Sequence, residues 1–218
     1  MAIEENNILS SIRKTIFDYD KEYLIELVKQ SIEKKIDPLK TYEEMMVSIR
    51  EVGDLFNSGE LFLPDLVAAS DTMQSGLPLL EEEMNKKGVT RKTEGVVVIG
   101  TVFGDVHSIG KNMVSNLLKS EGFRVIDLGV NVSADSFINA IKKENAEILA
   151  MSALLTTTMK EQEKIISILK QQNLRDKVTV MVGGAPITEA FAKEIGADGY
   201  APSAPEAVKL AKKLISSC

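Results

Sequence analysis

The spacing of apolar residues changes character near residue 90. Before it, the repeats are those of amphipathic helices, whose buried faces return every three or four residues. Ile8, Ile12 and Ile16 form one stripe. Tyr23, Leu24, Leu27 and Val28 form a second. Met45, Met46, Ile49, Val52 and Phe56 form a third, closed by the helix-stop signal Asn57-Ser58-Gly59. A fourth helix is expected from Pro64, since proline suits a first helical turn, through Leu66, Val67, Met73 and Leu77 to about Asn85. Gly76 and Pro78 are the points where it can bend. Four consecutive helices with short connections predict a helical bundle over residues 1–87.

Lys86-Lys87-Gly88-Val89-Thr90-Arg91-Lys92 is polar and basic, and residues 88–92 read as a linker. From 93 to 218, short β-rich runs alternate with helical ones. The expected strands are Val96–Thr101, Arg124–Leu128, Ile148–Ser152, Val178–Val182 and Gly199–Ala201. Helices are expected near 109–120, 134–144, 158–171, 187–195 and 204–216. An unbroken run such as Val96-Val97-Val98-Ile99 implies a strand covered on both faces, and strand–helix alternation implies a parallel sheet. The expected fold is α/β: a flavodoxin-like, doubly wound, five-stranded parallel sheet behind a four-helix bundle.

Composition changes this picture little. The 218 residues are 44% hydrophobic and 27% charged, ordinary for a globular chain able to build a core without disulfides. The one cysteine, Cys218, cannot form an intramolecular bridge. No apolar run approaches the roughly 20 residues needed to span a bilayer, and the start MAIEENN is too polar for a secretory signal, so a cytoplasmic location is expected. A net charge of −6 without a long basic stretch argues against nucleic-acid binding.

Ligands of such sheets bind beyond the carboxyl ends of the strands. The first such loop, Gly100 to Asn112, carries the only histidine of the chain, His107, two residues after Asp105. An imidazole nitrogen can bind a transition metal, while a carboxylate on the other nitrogen fixes the tautomer. Gly104 and Gly110 would let backbone approach a bulky cofactor. One histidine cannot hold a bare ion, which takes three or four protein ligands, so a metal at His107 is expected inside a macrocycle. On this pair alone, a surface or helix-cap pair remains open. Two further loops bear on the same edge: Ser152-Ala153-Leu154-Leu155-Thr156-Thr157-Thr158 and Val182-Gly183-Gly184-Ala185-Pro186. Their hydroxyls could cap helices and their glycines make a tight turn, but together they also describe a narrow slot suited to a nucleotide-like tail.

Asp105-x-His107-x-x-Gly110, Ser152-x-Leu154 and Gly183-Gly184, in this order on these loops, resemble the cobalamin-binding fingerprint. It is shared by methionine synthase, adenosylcobalamin mutases and corrinoid methyl carriers. The segment Val52 to Pro64 is similar to the helical cap that precedes the cobalamin domain in methionine synthase and in the carriers. The resemblance covers nearly the whole chain and is greatest to the stand-alone corrinoid proteins of methylamine, methanol or methoxy-aromatic methyltransferase systems. It implies that His107 is the lower axial ligand of cobalt, displacing the cofactor's benzimidazole. Asp105 would hydrogen-bond the imidazole, and Thr158 would complete the relay where methionine synthase has a serine. Ser152 and Thr156 would contact the tail, with Gly183 and Gly184 shaping its pocket. Gly104, Val106, Ser108, Ile109, Gly110 and Leu154 would surround the cofactor. Phe56 and Leu63 would shield its upper face, unless they are simply bundle core. Phe103, where an acidic residue is common, and Ser108, where aspartate is common, depart from the pattern.

The resemblance further implies a carrier, not catalytic alone, that shuttles a methyl group on cobalt through methylcobalamin, cob(I)alamin and cob(II)alamin states. Its expected partners are a substrate-specific methyltransferase, an acceptor methyltransferase of the tetrahydrofolate or coenzyme M type, and a reductive activation protein; neither nucleic acid nor membrane is expected. The alternatives are a subunit of an adenosylcobalamin mutase, which would not need the helical cap, and a cobalamin-dependent sensor, for which no DNA-binding helix pair is visible. A response-regulator receiver would need an aspartate after the third strand, where Ser152 stands.

Overall fold

A computed structural model of the chain describes residues 2–89 and 93–216. It divides into two compact units, one up to Lys92 and one from Thr93. Of the linker expected over 88–92, residues 90–92 lie outside the described residues, as does Cys218.

The first unit holds α1 (Ala2–Asp18), α2 (Lys21–Glu33), α3 (Pro38–Ser58) and α4 (Leu63–Lys86). The apolar stripes meet inside: Ile12, Ile16, Leu24, Val28, Met45, Ile49, Val52 and Met73 are fully buried. Each such side chain stabilises the unit by roughly 1.5–3 kcal/mol relative to exposure. Tyr23, expected within the second stripe, is instead 45% exposed. The helix boundaries follow from caps. Asp20 accepts from the Tyr23 N–H and Asp37 from the Leu39 N–H, while Asp65 accepts from the Phe62 N–H. Gly59, at φ +82°, ends α3 in the left-handed conformation glycine allows. Helix α4 runs unbroken through Gly76 and Pro78. At Gly76 a Cβ would come within 3.1 Å of Val28, so the glycine lets α2 and α4 approach closely.

The second unit alternates β1 (Val96–Thr101), α5 (Ile109–Ser120), β2 (Arg124–Asp127), α6 (Ala134–Glu144), β3 (Ile148–Ser152), α7 (Lys160–Gln171), β4 (Thr179–Gly183), α8 (Glu189–Ile195), β5 (Gly199–Tyr200) and α9 (Ala204–Ile215). The strands pair in parallel in the order β2-β1-β3-β4-β5. That is the flavodoxin-like order, with the direction of winding reversing at β1 and β3. Helices α5 and α9 pack together, as do α6 with α7 and α7 with α8, so each face of the sheet is covered. The central strands are apolar for that reason; Val97, Val98, Ile148, Leu149 and Val180 have no exposure.

Two helices start later than their apolar pattern suggests. Helix α8 begins at Glu189 because Thr188 caps it, its side chain accepting from the Phe191 N–H. Helix α7 begins at Lys160 because Thr158 is held in the preceding turn, its N–H donating to the Leu155 carbonyl.

Candidate functional site

Strands β1 and β3 end side by side, with Thr101 opposite Ser152. Their loops therefore leave the sheet together, and the reversal between them opens a crevice. The β1–α5 loop carries Asp105 and His107; the β3–α7 loop carries Leu154 and Thr158. Asp105 has no exposed surface, yet its carboxylate is fully engaged. One oxygen lies 2.7 Å from His107 Nδ1 and accepts from the His107 N–H at 3.1 Å. The other accepts from the Leu154 N–H at 2.7 Å and from the Thr158 hydroxyl at 2.8 Å. Burial by itself would raise the Asp105 pKa. The bonds from Leu154, His107 and Thr158 outweigh it and hold the group well below the usual carboxylate range. Asp105 is thus a fixed anion beneath the imidazole. Facing an ionised carboxylate, Nδ1 is the donor of this contact, and Nε2 is the ring nitrogen left to face a ligand.

The His107 side chain is about half exposed, at 49%. Around it stand apolar side chains that the protein leaves uncovered: Val106 at 70%, Ile109 at 63% and Leu154 at 41%. Uncovered apolar surface ringing a single metal-competent nitrogen is what a large, flat, apolar ligand would cover. No group of three or more His, Cys, Asp or Glu side chains among the described residues could hold a bare metal ion.

Beside His107 a cavity of about 640 Å³ opens between the ends of β1, β3 and β4. Of the residues expected there, Val106, His107, Ser108, Ile109, Gly110, Ser152, Leu154, Gly183 and Gly184 line it. Gly104, Thr156 and Thr158 do not. Thr156 lies exposed on its loop, and Thr158, 6% exposed, is turned to Asp105 instead. At Gly110 an added Cβ would meet no atom within 4 Å, so this position is left open. Gly184 has the opposite reason: at φ +124° its Cβ would lie 1.8 Å from the Ala153 carbonyl oxygen. Only glycine lets the β4 loop pass so close to the β3 loop. Phe56 is half-buried and Leu63 is 47% exposed on their own helical unit, so neither is bundle core proper.

Several residues of the site carry no sequence signal of their own. The far wall of the cavity comes from the end of β5 at Tyr200, the loop Ala201, Pro202 and Ser203, and the start of α9 at Ala204 and Ala207. Lys111 also lines it, almost wholly buried, with its ammonium bonded to both Asp127 oxygens at 2.7 and 2.6 Å. Buried lysines are rare without such a partner. Gln162, with no exposure, donates to the Met151 and Gly183 carbonyls and so ties β3 to β4 under the cavity.

Comparison with known proteins gives consistent matches over both units. Residues 95–209 match the family described as B12 binding domain, and residues 8–81 match a second family of the same description. The trimethylamine corrinoid protein of Methanosarcina barkeri is 41% identical over 99% of this chain and 100% of its own length. A corrinoid protein of Desulfitobacterium hafniense (strain Y51) is 40% identical over 96% of this chain and 98% of its own. Among solved structures, the methanol:cobalamin methyltransferase complex MtaBC from Methanosarcina barkeri contains a chain 32% identical to this one. The match has a TM-score of 0.83 and covers 97% of this chain and 81% of that one.

Proposed function

The chain belongs to the B12-binding family of corrinoid proteins, and from that premise we propose that it is a methyl carrier holding a cobalamin-type corrinoid base-off on His107. The observation that carries this reading is the pairing of His107 with Asp105. A buried anion with four hydrogen-bonding contacts holds one half-exposed imidazole at the mouth of a 640 Å³ cavity. The residues present suit the group. The imidazole would offer one nitrogen to cobalt, the apolar ring of Val106, Ile109 and Leu154 would offer a floor for a macrocycle, and the cavity would offer room for a nucleotide tail.

When bound, the corrinoid supplies a cobalt that accepts a methyl group and gives it up again. The protein's part is to hold and tune. Asp105 keeps the proton on Nδ1 and presents Nε2 as the donor. The same bond holds the ring in one orientation toward the place a corrinoid cobalt would occupy. Thr158 and the Leu154 N–H keep Asp105 ionised throughout. Ser152, Gly110, Gly183 and Gly184 would receive the tail, and Phe56 and Leu63 of the helical unit would shield the upper face, as in the cap that segment resembles.

The methyl donor and acceptor would be handled by two separate methyltransferases, with a reductive activation protein restoring adventitiously oxidised cobalt. No helix among the described residues is long and apolar enough to cross a membrane. The test of binding is reconstitution with cobalamin followed by desalting. A one-to-one complex is expected, and its cobalt(II) form should show coupling to one imidazole nitrogen in paramagnetic resonance. His107→Ala should abolish that coupling. A free-cobalamin spectrum, or coupling that survives the substitution, would refute the assignment. Methyl loading by a donor plus its methyltransferase, and unloading by an acceptor plus another, tests the carrier role. Rearrangement of a carbon skeleton with adenosylcobalamin would replace it.

A further inference from the structure

The loop that leaves β2 is bolted to the His107 segment at both ends. At one end, the Asp127 carboxylate takes two bonds from Lys111 in the first turn of α5, and Lys111 uses a further donor on the Asn112 side chain at 2.7 Å. At the other, Asn131 grips the backbone just before the histidine. Its N–H donates to the Asp105 carbonyl at 2.8 Å, and its side-chain oxygen accepts from the Gly104 N–H at 2.8 Å. Between these points Gly129 donates to Asp127 and accepts from the Thr101 N–H. Thr101, buried at the end of β1, donates its hydroxyl to the carbonyl of His107 itself at 2.8 Å. Asn131 sits at φ +54°, a conformation asparagine tolerates better than most residues, so the residue type serves both the turn and the bond.

We infer that segment 127–131 is a strap that sets the position of His107, with Asn131 and Lys111 as positioning residues for the axial ligand. The inference rests on the corrinoid reading above. Its physical basis is the exposure of the imidazole. A ring that is half free of packing is aimed by its backbone and by the Asp105 bond, and both run through the span that the strap clamps. Gly104, at φ +81°, is the most permissive point of that span, and it is the point Asn131 ties down. An untied span would let the ring withdraw from its ligand position without any change in the cavity that holds the tail. The strap would thus shift the balance between His-on and His-off forms, and change corrinoid affinity by no more than that shift.

The experiment uses the full chain loaded with cobalamin and reduced to the cobalt(II) state. Two quantities are read separately: the corrinoid dissociation constant, and the fraction of cobalt showing imidazole nitrogen coupling. Asn131→Gly keeps the positive φ and deletes the side-chain acceptor. It is expected to lower the ratio of His-on to His-off about five-fold, the size of one ordinary hydrogen bond, and to lower affinity by no more than that factor. Asn131→Asp keeps an acceptor and should restore the wild-type ratio. Lys111→Met releases the other end, should shift the ratio the same way, and serves if the glycine variant does not fold. An unchanged ratio in the folded variants overturns the inference. So does a loss of affinity at an unchanged ratio in the Asn131 variant, which would mark Asn131 as ordinary structural support; Lys111 lines the cavity, so its variant is read on the ratio alone. If wild-type protein itself shows no imidazole coupling, the corrinoid reading fails, a result distinct from either.

Discussion

Replacing Thr158 by valine deletes one hydroxyl and keeps the side-chain shape. The hydroxyl donates at 2.8 Å to a carboxylate oxygen with no exposure, from a residue itself 6% exposed. Water has little access to take its place. Bonds to charged acceptors contribute about 1.5–3 kcal/mol, so a loss of about 2 kcal/mol from the α/β unit is expected at neutral pH. The sign of its pH dependence follows from Asp105. Its folded pKa is depressed, so its contribution is complete above the ordinary aspartate value of about 3.9 and is lost as pH falls through the lower folded value. Valine raises the folded value. The gap between wild type and variant should therefore be constant from pH 7 to 5 and shrink only at more acid pH. Hydrogen exchange of the slowest amides of β1 and β3, such as Val98 and Leu149, reports this unit directly. A 2 kcal/mol loss makes them exchange about 30-fold faster after correction for intrinsic rates. Thr158→Ser should retain most of the protection. Acceleration below about three-fold, or equal acceleration in the serine variant, would show that the hydroxyl does not support Asp105 as described.

Two further outcomes test the proposed cofactor site. Gly110→Ala meets no atom within 4 Å in the protein, so the fold should be unharmed, while corrinoid affinity should fall about tenfold as the added methyl narrows the cavity; an unchanged dissociation constant in an equilibrium titration would place the tail elsewhere. Phe56→Ala should speed photolysis of bound methylcobalamin by loosening the cage that returns the methyl radical to cobalt, and an equal rate would remove Phe56 from the upper face.

What could be read in the chain, and what could not, divides along a physical line. The run Val96-Val97-Val98-Ile99 announced a doubly covered strand because burial on both faces leaves no polar position. Asp105 and His107 were visible as a pair because the chain has one histidine. Thr158 stood out only through the resemblance; its bond to Asp105 spans 53 residues of sequence. The Leu154 N–H, an equally short bond to the same carboxylate, is a backbone group that no residue type advertises. Nothing local pairs Lys111 with Asp127, or says that the side chain of a lysine in a first helical turn is 2% exposed. Asn131 has a positive φ that asparagine tolerates, and nothing in the sequence ties it to Gly104 and Asp105. The cavity wall at Ala201 and Ser203 is written in small residues, whose meaning comes only from what they leave empty.

That wall also bears on the order of synthesis. His107 and its Asp105 support are completed by the β3–α7 loop, whereas Tyr200 to Ala207 reach the ribosome exit last among the residues that enclose the cavity. Domains fold as their chain emerges, and a two-residue strand such as β5 has little to hold it until α9 can pack on α5. A nascent chain would thus display the imidazole proposed to face the metal well before it owned the cavity proposed for the rest of the ligand. If the cavity is where the cofactor's tail lodges, capture would have to wait for residues 200–207, and a chain stalled before residue 200 would lack that wall.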